Sequence, residues 1–383
     1  MRSGEGWRLD DSGVLVIDGP VSPVETEAGV APWRPFANQI QAVTVMEGAQ
    51  VEGFSRLFEG CCRLTAIDGM GNLTYLEGSA DVEDASGMFA GCSELRRIDL
   101  SAFDGSCLRS AWGMFQDCCE LCEVVFPIQG FPGLREAGGM FRGCHSLRSF
   151  DFAALGAPNL EDLSDFFRMC TGLDEVSFVG ARTGRLVTTE RMFYGCRSLE
   201  RIVGNDSLQT GRIENLSGMF RFCARLSDLD CASWDTVSVR EANFLFGDCL
   251  ALSQLDVSAW RMPHLQMGRG MFARTPIERV DLASWSAHEL IDTSYMFDGC
   301  ALLQEVSLGD MDLSNILRAQ NMFAGCAGLE RIAHEGRGMS RVRNVARLFY
   351  GCKKLTHVPE GFVDLGRAED AYRAREDCPM PLL

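Results

Sequence analysis

A phenylalanine returns down this chain at nearly constant intervals: Phe58, Phe89, Phe115, Phe141, Phe167, Phe193, Phe220, Phe246, Phe272, Phe297, Phe323 and Phe349. The first gap is 31 residues and the others are 25 to 27. Twelve copies of so short a unit exclude a string of ordinary domains, because about 26 residues cannot close a core alone. Each copy must bury its apolar side against its neighbours, so the array shares one long core.

Two periodicities alternate inside a copy. Around "GMFAGCSEL" (87–95), apolar or small residues stand at Val82, Ala85, Met88, Phe89 and Cys92. The last four follow i, i+3, i+4, i+7, which predicts one face of a short helix. Leu95, Ile98 and Leu100 then read L-x-x-L-x-L, a short strand with Arg97, Asp99 and Ser101 on its other face. The expected fold is α/β: a right-handed leucine-rich-repeat solenoid, with a parallel β-sheet on the concave face and short helices on the convex face. Residues 40–357 hold about twelve repeats. Residues 1–39 form an N-terminal cap whose segment "WRLDDSGVLVID" (7–18) predicts a β-hairpin turning at Asp11-Ser12-Gly13. Residues 358–383 read as a degenerate capping unit, polar and with Arg375 where the phenylalanine belongs.

The segments "MFAGCSELRRIDLSAFD", "MFRFCARLSDLDCASWDT" and "LFGDCLALSQLDVSAW" resemble the BspA-type leucine-rich repeats, above all the branch found in bacterial surface proteins. The opening "WRLDDSGVLVIDG", with the later Pro32-Trp33, is similar to that family's entry segment. The resemblance covers roughly residues 5–360. It implies a non-enzymatic binding scaffold that recognises proteins through the concave strand face, like cell-surface adhesins that bind host matrix proteins or other cells. By that resemblance the address is the cell surface or secreted. Residues 1–13 contain no apolar stretch of the kind a secretory signal needs, which predicts a cytoplasmic address instead. The alternative reading is therefore an intracellular interaction protein or an exported effector.

The formal charge of −17 argues against nucleic acid, which requires a cationic face. No run of 18 apolar residues predicts a membrane span. Phosphate-loop, zincin and nucleophile-elbow motifs are absent, and the five histidines share no column and read as surface or loop residues. The expectation is no enzyme, no cofactor, no metal site and a monomeric chain.

Eleven of the 17 cysteines lie three residues after the phenylalanine, and Cys378 is a twelfth on the same ruler. Helices about 10 Å across would hold such residues too far apart for disulfides or a zinc site, so this column is read as packing. Cys231 aligns with Leu100 and is also read as core, whereas Cys62 and Cys107 stand outside the column. Cys119 and Cys122 form a C-x-x-C that leaves three readings open: incidental thiols, a local disulfide, or a metal or redox role.

The exposed strand face supplies the candidate partner-binding residues: Asp228, Asp230, Gln254, Asp256, Arg279 and Asp281, in repeats seven to nine. Consecutive carboxylates focus negative potential and favour a basic protein partner, and the resemblance implies a host-derived one. The competing reading is a solvated face carrying the repeat's preference for aspartate. Trp234, Trp260 and Trp285 share a register with Phe103 and Leu155, which points them into the core.

Overall fold

In the computed structural model, residues 1–21, 31–76, 79, 83–366 and 368–380 are described. Val82, residues 22–30 of the N-terminal segment and residues 381–383 lie outside them. The chain divides into two compact units, Met1–Arg185 and Leu186–Leu383. Each is a β-solenoid, and the two together make about twelve turns.

The first unit opens with strands Arg2–Gly4, Trp7–Leu9 and Val14–Ile17, paired antiparallel in that order. The aspartate of the hairpin turn sets its shape, since Asp10 Oδ1 accepts from the backbone N–H of Ser12 and of Val14. Val14–Ile17 then pairs in parallel with Ala42–Val45, and that strand with Ala66–Asp68. Further along, Arg97–Asp99 pairs in parallel with Glu123–Val125, and Ser149–Asp151 with Glu175–Ser177. In the second unit, Arg279–Asp281, Glu305–Gly309 and Arg331–His334 form a parallel sheet. Val280, Val306 and Ile332 point into its core.

A second set of parallel bridges lies five residues before each phenylalanine. It joins Asp84, Ser110, Glu136 and Asp162 in the first unit. In the second it runs without a break through Thr188, Asn215, Glu241, Met267, Asp292, Arg318, Asn344 and Asp370.

The phenylalanine segments are not helices. Among the described residues the one α-helix is Phe152–Leu155. In the copy at 85–92, the N–H groups of Met88, Ala90 and Cys92 close turns onto the carbonyls of Ala85, Gly87 and Phe89. The alternate N–H groups of Ala85, Gly87, Phe89 and Gly91 donate instead to Ser110, Trp112, Met114 and Gln116 in the next copy. Gly87 and Gly91 have φ of 62° and 75°, as the third residue of a type II turn requires. Two such turns in succession send the corners at Ala85, Met88, Phe89 and Cys92 inward, and so reproduce the apolar spacing of a helix.

Copies therefore stack at sheet spacing. Ring centroids from Phe58 to Phe167 follow one another at 5.3 to 5.9 Å, and those from Phe193 to Phe349 at 5.4 to 5.9 Å. Trp33 begins the first stack, 6.1 Å from Phe58. Every phenylalanine of the ruler is fully buried.

The turn geometry fixes the sign of one substitution. A Cβ on Gly91 would meet nothing closer than 3.7 Å, so its φ of 75° is the only obstacle. An L-residue there costs about 1–2 kcal/mol, whereas glycine to alanine inside a helix gains about 1 kcal/mol. Gly91→Ala should lower the denaturant midpoint; a raised midpoint would restore the helix.

Candidate functional site

All six candidate binding residues are exposed and belong to the second unit. They do not form one ladder. Arg279 and Asp281 stand on a paired strand, while Asp228, Asp230, Gln254 and Asp256 lie on stretches with no strand pairing. The charge row accounts for this division. Where the sheet forms, Glu305 sits between Arg279 at 3.9 Å and Arg331 at 3.3 Å, so neighbouring strands attract. In the two copies before it, a tight ladder would set Asp230, Asp256 and Asp281 in a row of like charges about 4.8 Å apart.

Asp256, Arg279 and Asp281 come together with Glu305, Ser258 and Ser307 around a shallow hollow of about 400 Å³. Asp228, Asp230 and Gln254 do not line it. Its lining presents three carboxylates, two hydroxyls and one guanidinium.

The aspartates also have a local task that the sequence reading did not find. Asp256 Oδ1 accepts from Ser258 N–H at 3.0 Å and from Ser258 Oγ at 2.7 Å. Asp281 Oδ1 accepts from Ala283 N–H at 3.0 Å, and Asp99 and Asp151 do the same with Ser101 and Ala153. Each is an Asx turn that ends the strand and caps a backbone donor. The Ser258 hydrogen bonds hold the Asp256 carboxyl below its ordinary value. The signal was present as aspartate followed two residues later by serine or alanine.

The three tryptophans are core. Trp234, Trp260 and Trp285 stack at 6.0 and 6.1 Å and are at most 4% exposed. Trp260 Nε1 donates to the Cys231 carbonyl and Trp285 Nε1 to that of Val257. Cys231 is buried as its register required. One histidine departs from the expectation: His334 is buried, with Nε2 at 2.9 Å from the Met311 carbonyl. It ends a strand whose alternation turns it inward.

The cysteine column is buried except for the half-buried Cys378, but the distance argument for it fails. At sheet spacing, equivalent residues lie about 5 Å apart, within disulfide reach. What occupies most of these thiols is a hydrogen bond to the preceding copy. Cys118 Sγ donates to the Phe89 carbonyl at 3.1 Å, Cys144 to Phe115 at 3.1 Å and Cys326 to Phe297 at 3.1 Å. All 17 cysteines are free thiols. Cys119 and Cys122 diverge, Cys119 Sγ lying 3.5 Å from the Asp117 carbonyl and Cys122 Sγ 3.1 Å from that of Arg96. Burial raises the Cys119 pKa, which opposes a reactive thiolate. No group of three or more metal-ligating side chains converges among the described residues.

The profile of the family described as "Mycoplasma protein of unknown function, DUF285" matches residues 36–150, 161–285 and 271–370. The chain belongs to the DUF285 family. Solved structures similar to this DUF285 chain include a T. pallidum leucine-rich repeat protein, 21% identical, covering 58% of this chain and 87% of its own, with a TM-score of 0.33. A leucine-rich repeat protein from Bacteroides ovatus is 15% identical over 93% of this chain and 87% of its own, with a TM-score of 0.42. A leucine rich cell surface protein from Faecalibacterium prausnitzii is 14% identical over 89% of this chain and 96% of its own, with a TM-score of 0.27. These are distant likenesses, and the solenoid stands on the ladders described above. No curated protein matches this DUF285 chain.

Proposed function

We propose that this chain is a non-enzymatic, protein-binding repeat scaffold whose exposed strand face in the second unit takes a basic protein segment. The observation that carries this reading is the hollow at Asp256, Arg279, Asp281 and Glu305, next to the exposed Asp228, Asp230 and Gln254. Ala283 and Ser258 beside the aspartates are small enough for a partner backbone to approach. The resemblance to BspA-type repeats supports an adhesin-like role at a cell surface. Against that stands the alternative of an intracellular or exported interaction protein with the same face.

The test replaces Asp230, Asp256 and Asp281 by asparagine. Asparagine keeps the Oδ1 acceptor, so the caps at Asp256 and Asp281 survive and three charges go. Association with an arginine-rich peptide should slow about tenfold at low salt and lose most of its salt dependence. A control removing three carboxylates of the first unit (Glu5, Glu47 and Glu52, all exposed) should change the rate far less. Equal effects in the two variants would show that net charge alone is at work.

A further inference from the structure

Half of the left-handed positions two residues before and after each phenylalanine belong to glycine, and the others mainly to polar residues, with Met169 as an exception. Three break that rule with aromatic rings, all in repeats seven to ten: Phe222, Phe244 and Tyr295, with φ of 65°, 54° and 63°. An aromatic residue is a strained choice there. The core does not ask for it, since all three rings are half-exposed.

The rings instead hold guanidinium groups. Arg221 Cζ lies 3.9 Å from the centre of the Phe244 ring and 4.9 Å from that of Phe222. Arg269 Cζ lies 4.9 Å from the Tyr295 ring and 5.9 Å from Phe244. Tyr194 packs edge-on against Phe222 at 5.3 Å. Gly270 makes this possible, because a Cβ there would fall 2.2 Å from the Phe244 ring.

The two arginines differ in charge balance. Arg221 is answered by Asp248 at 3.4 Å, a carboxylate that also takes two bonds from Arg274. Arg269 is exposed and has no carboxylate within ion-pair distance among the described residues. A guanidinium held over ring faces can still turn its N–H fork to a bidentate carboxylate. Aromatic residues and arginine are also the types that dominate binding energy at protein interfaces.

We propose that Tyr194, Phe222, Phe244 and Tyr295, with Arg221 and Arg269, form a docking surface on the turn face of the second unit for an acidic protein segment, whose carboxylate pairs with Arg269. This surface is separate from the acidic strand face and takes a partner of opposite charge. One uncompensated cation is too few for a nucleic acid, whose affinity scales with the phosphates neutralised.

The experiment measures binding of a fluorescent glutamate–tyrosine copolymer to the full chain by anisotropy, with oligo-dT as the comparison. Arg269→Gln and Phe244→Gly should each weaken copolymer binding tenfold or more. Phe244→Gly should at the same time leave the thermal midpoint unchanged or raised, because glycine takes that φ without strain. Wild-type protein that ignores the copolymer, or variants that bind it as well as wild type, would overturn the proposal. Preferential oligo-dT binding lost in the same variants would replace it with a nucleic-acid site. The triple asparagine variant of the strand face should bind the copolymer undiminished, which keeps the two surfaces distinguishable.

Discussion

Phe297→Ala should lower the unfolding free energy of the second unit by about 3–5 kcal/mol. The ring is fully buried and stacks between Phe272 and Phe323, each 5.4 Å away and within 7° of parallel. Its removal leaves a gap that these neighbours cannot close. Both are held at sheet spacing by backbone bonds: Phe272 N–H donates to the Met296 carbonyl, Phe297 N–H to Met322 and Phe323 N–H to Leu348. A repeat that slid inward to fill the space would break this ladder on both sides. The cost therefore belongs at the unrelaxed end for such truncations. Leu302→Ala in the same copy is the comparison, since Leu302 is 55% exposed and should change stability by no more than about 0.5 kcal/mol. Urea titrations of the two variants read the difference. Matching midpoints would mean that the phenylalanine ruler is not the core of the array.

The ruler was legible because burial repeats in step with it. Phe, Cys and Leu recur at the same offsets, and every such position sampled, from Phe89, Cys92 and Leu95 to Phe349, Cys352 and Leu355, is buried. The tryptophans were placed by the same logic. The backbone between these positions was harder to read. Ala85, Met88, Phe89 and Cys92 satisfy a helical spacing, yet consecutive type II turns put the same residues inside. Only the glycines two residues either side of Phe89 distinguish the cases, by their need for positive φ. In other copies Arg191, Asn321 or Asp117 stands there and the signal fades. The exposed face was assigned by alternation, which places Asp256 and Asp281 outward but says nothing of their Asx turns. The arginine–aromatic surface was missed because its members occupy what looked like the outer side of helices.

Raising the pH from 8 to above 10 should unfold the protein, through the cysteine column. Desolvation raises the thiol pKa of Cys61, Cys92, Cys118, Cys144 and Cys170 in the first unit. It does the same for Cys223, Cys249, Cys300, Cys326 and Cys352 in the second. Cys61 is pushed up to about 12 and Cys300 to about 11, from 9.0. Between the unfolded and folded values the unfolded chain has lost the proton and the native one keeps it. The unfolded state then binds fewer protons, so stability falls as pH rises. Below about pH 8.5 both states are protonated and the column is neutral in this respect. Above it, each thiol removes about 1.4 kcal/mol per pH unit, and five acting together remove about 7 kcal/mol per pH unit from either unit. Stabilities of about 5–15 kcal/mol would be exhausted within one to two units. Urea midpoints under reducing conditions at pH 8, 9 and 10 measure the slope. Repeat nine supplies the control, for Thr275 fills the cysteine position, is buried, and donates its hydroxyl to the Phe272 carbonyl at 2.7 Å without titrating. Cys231, buried in the same unit and pushed up to about 12, adds to the five column thiols, so Cys249→Thr should remove about a sixth of the second unit's slope. A midpoint that stays level from pH 8 to 10 would show that solvent reaches the column thiols and that they are not the sealed hydrogen-bond donors the stacked turns require.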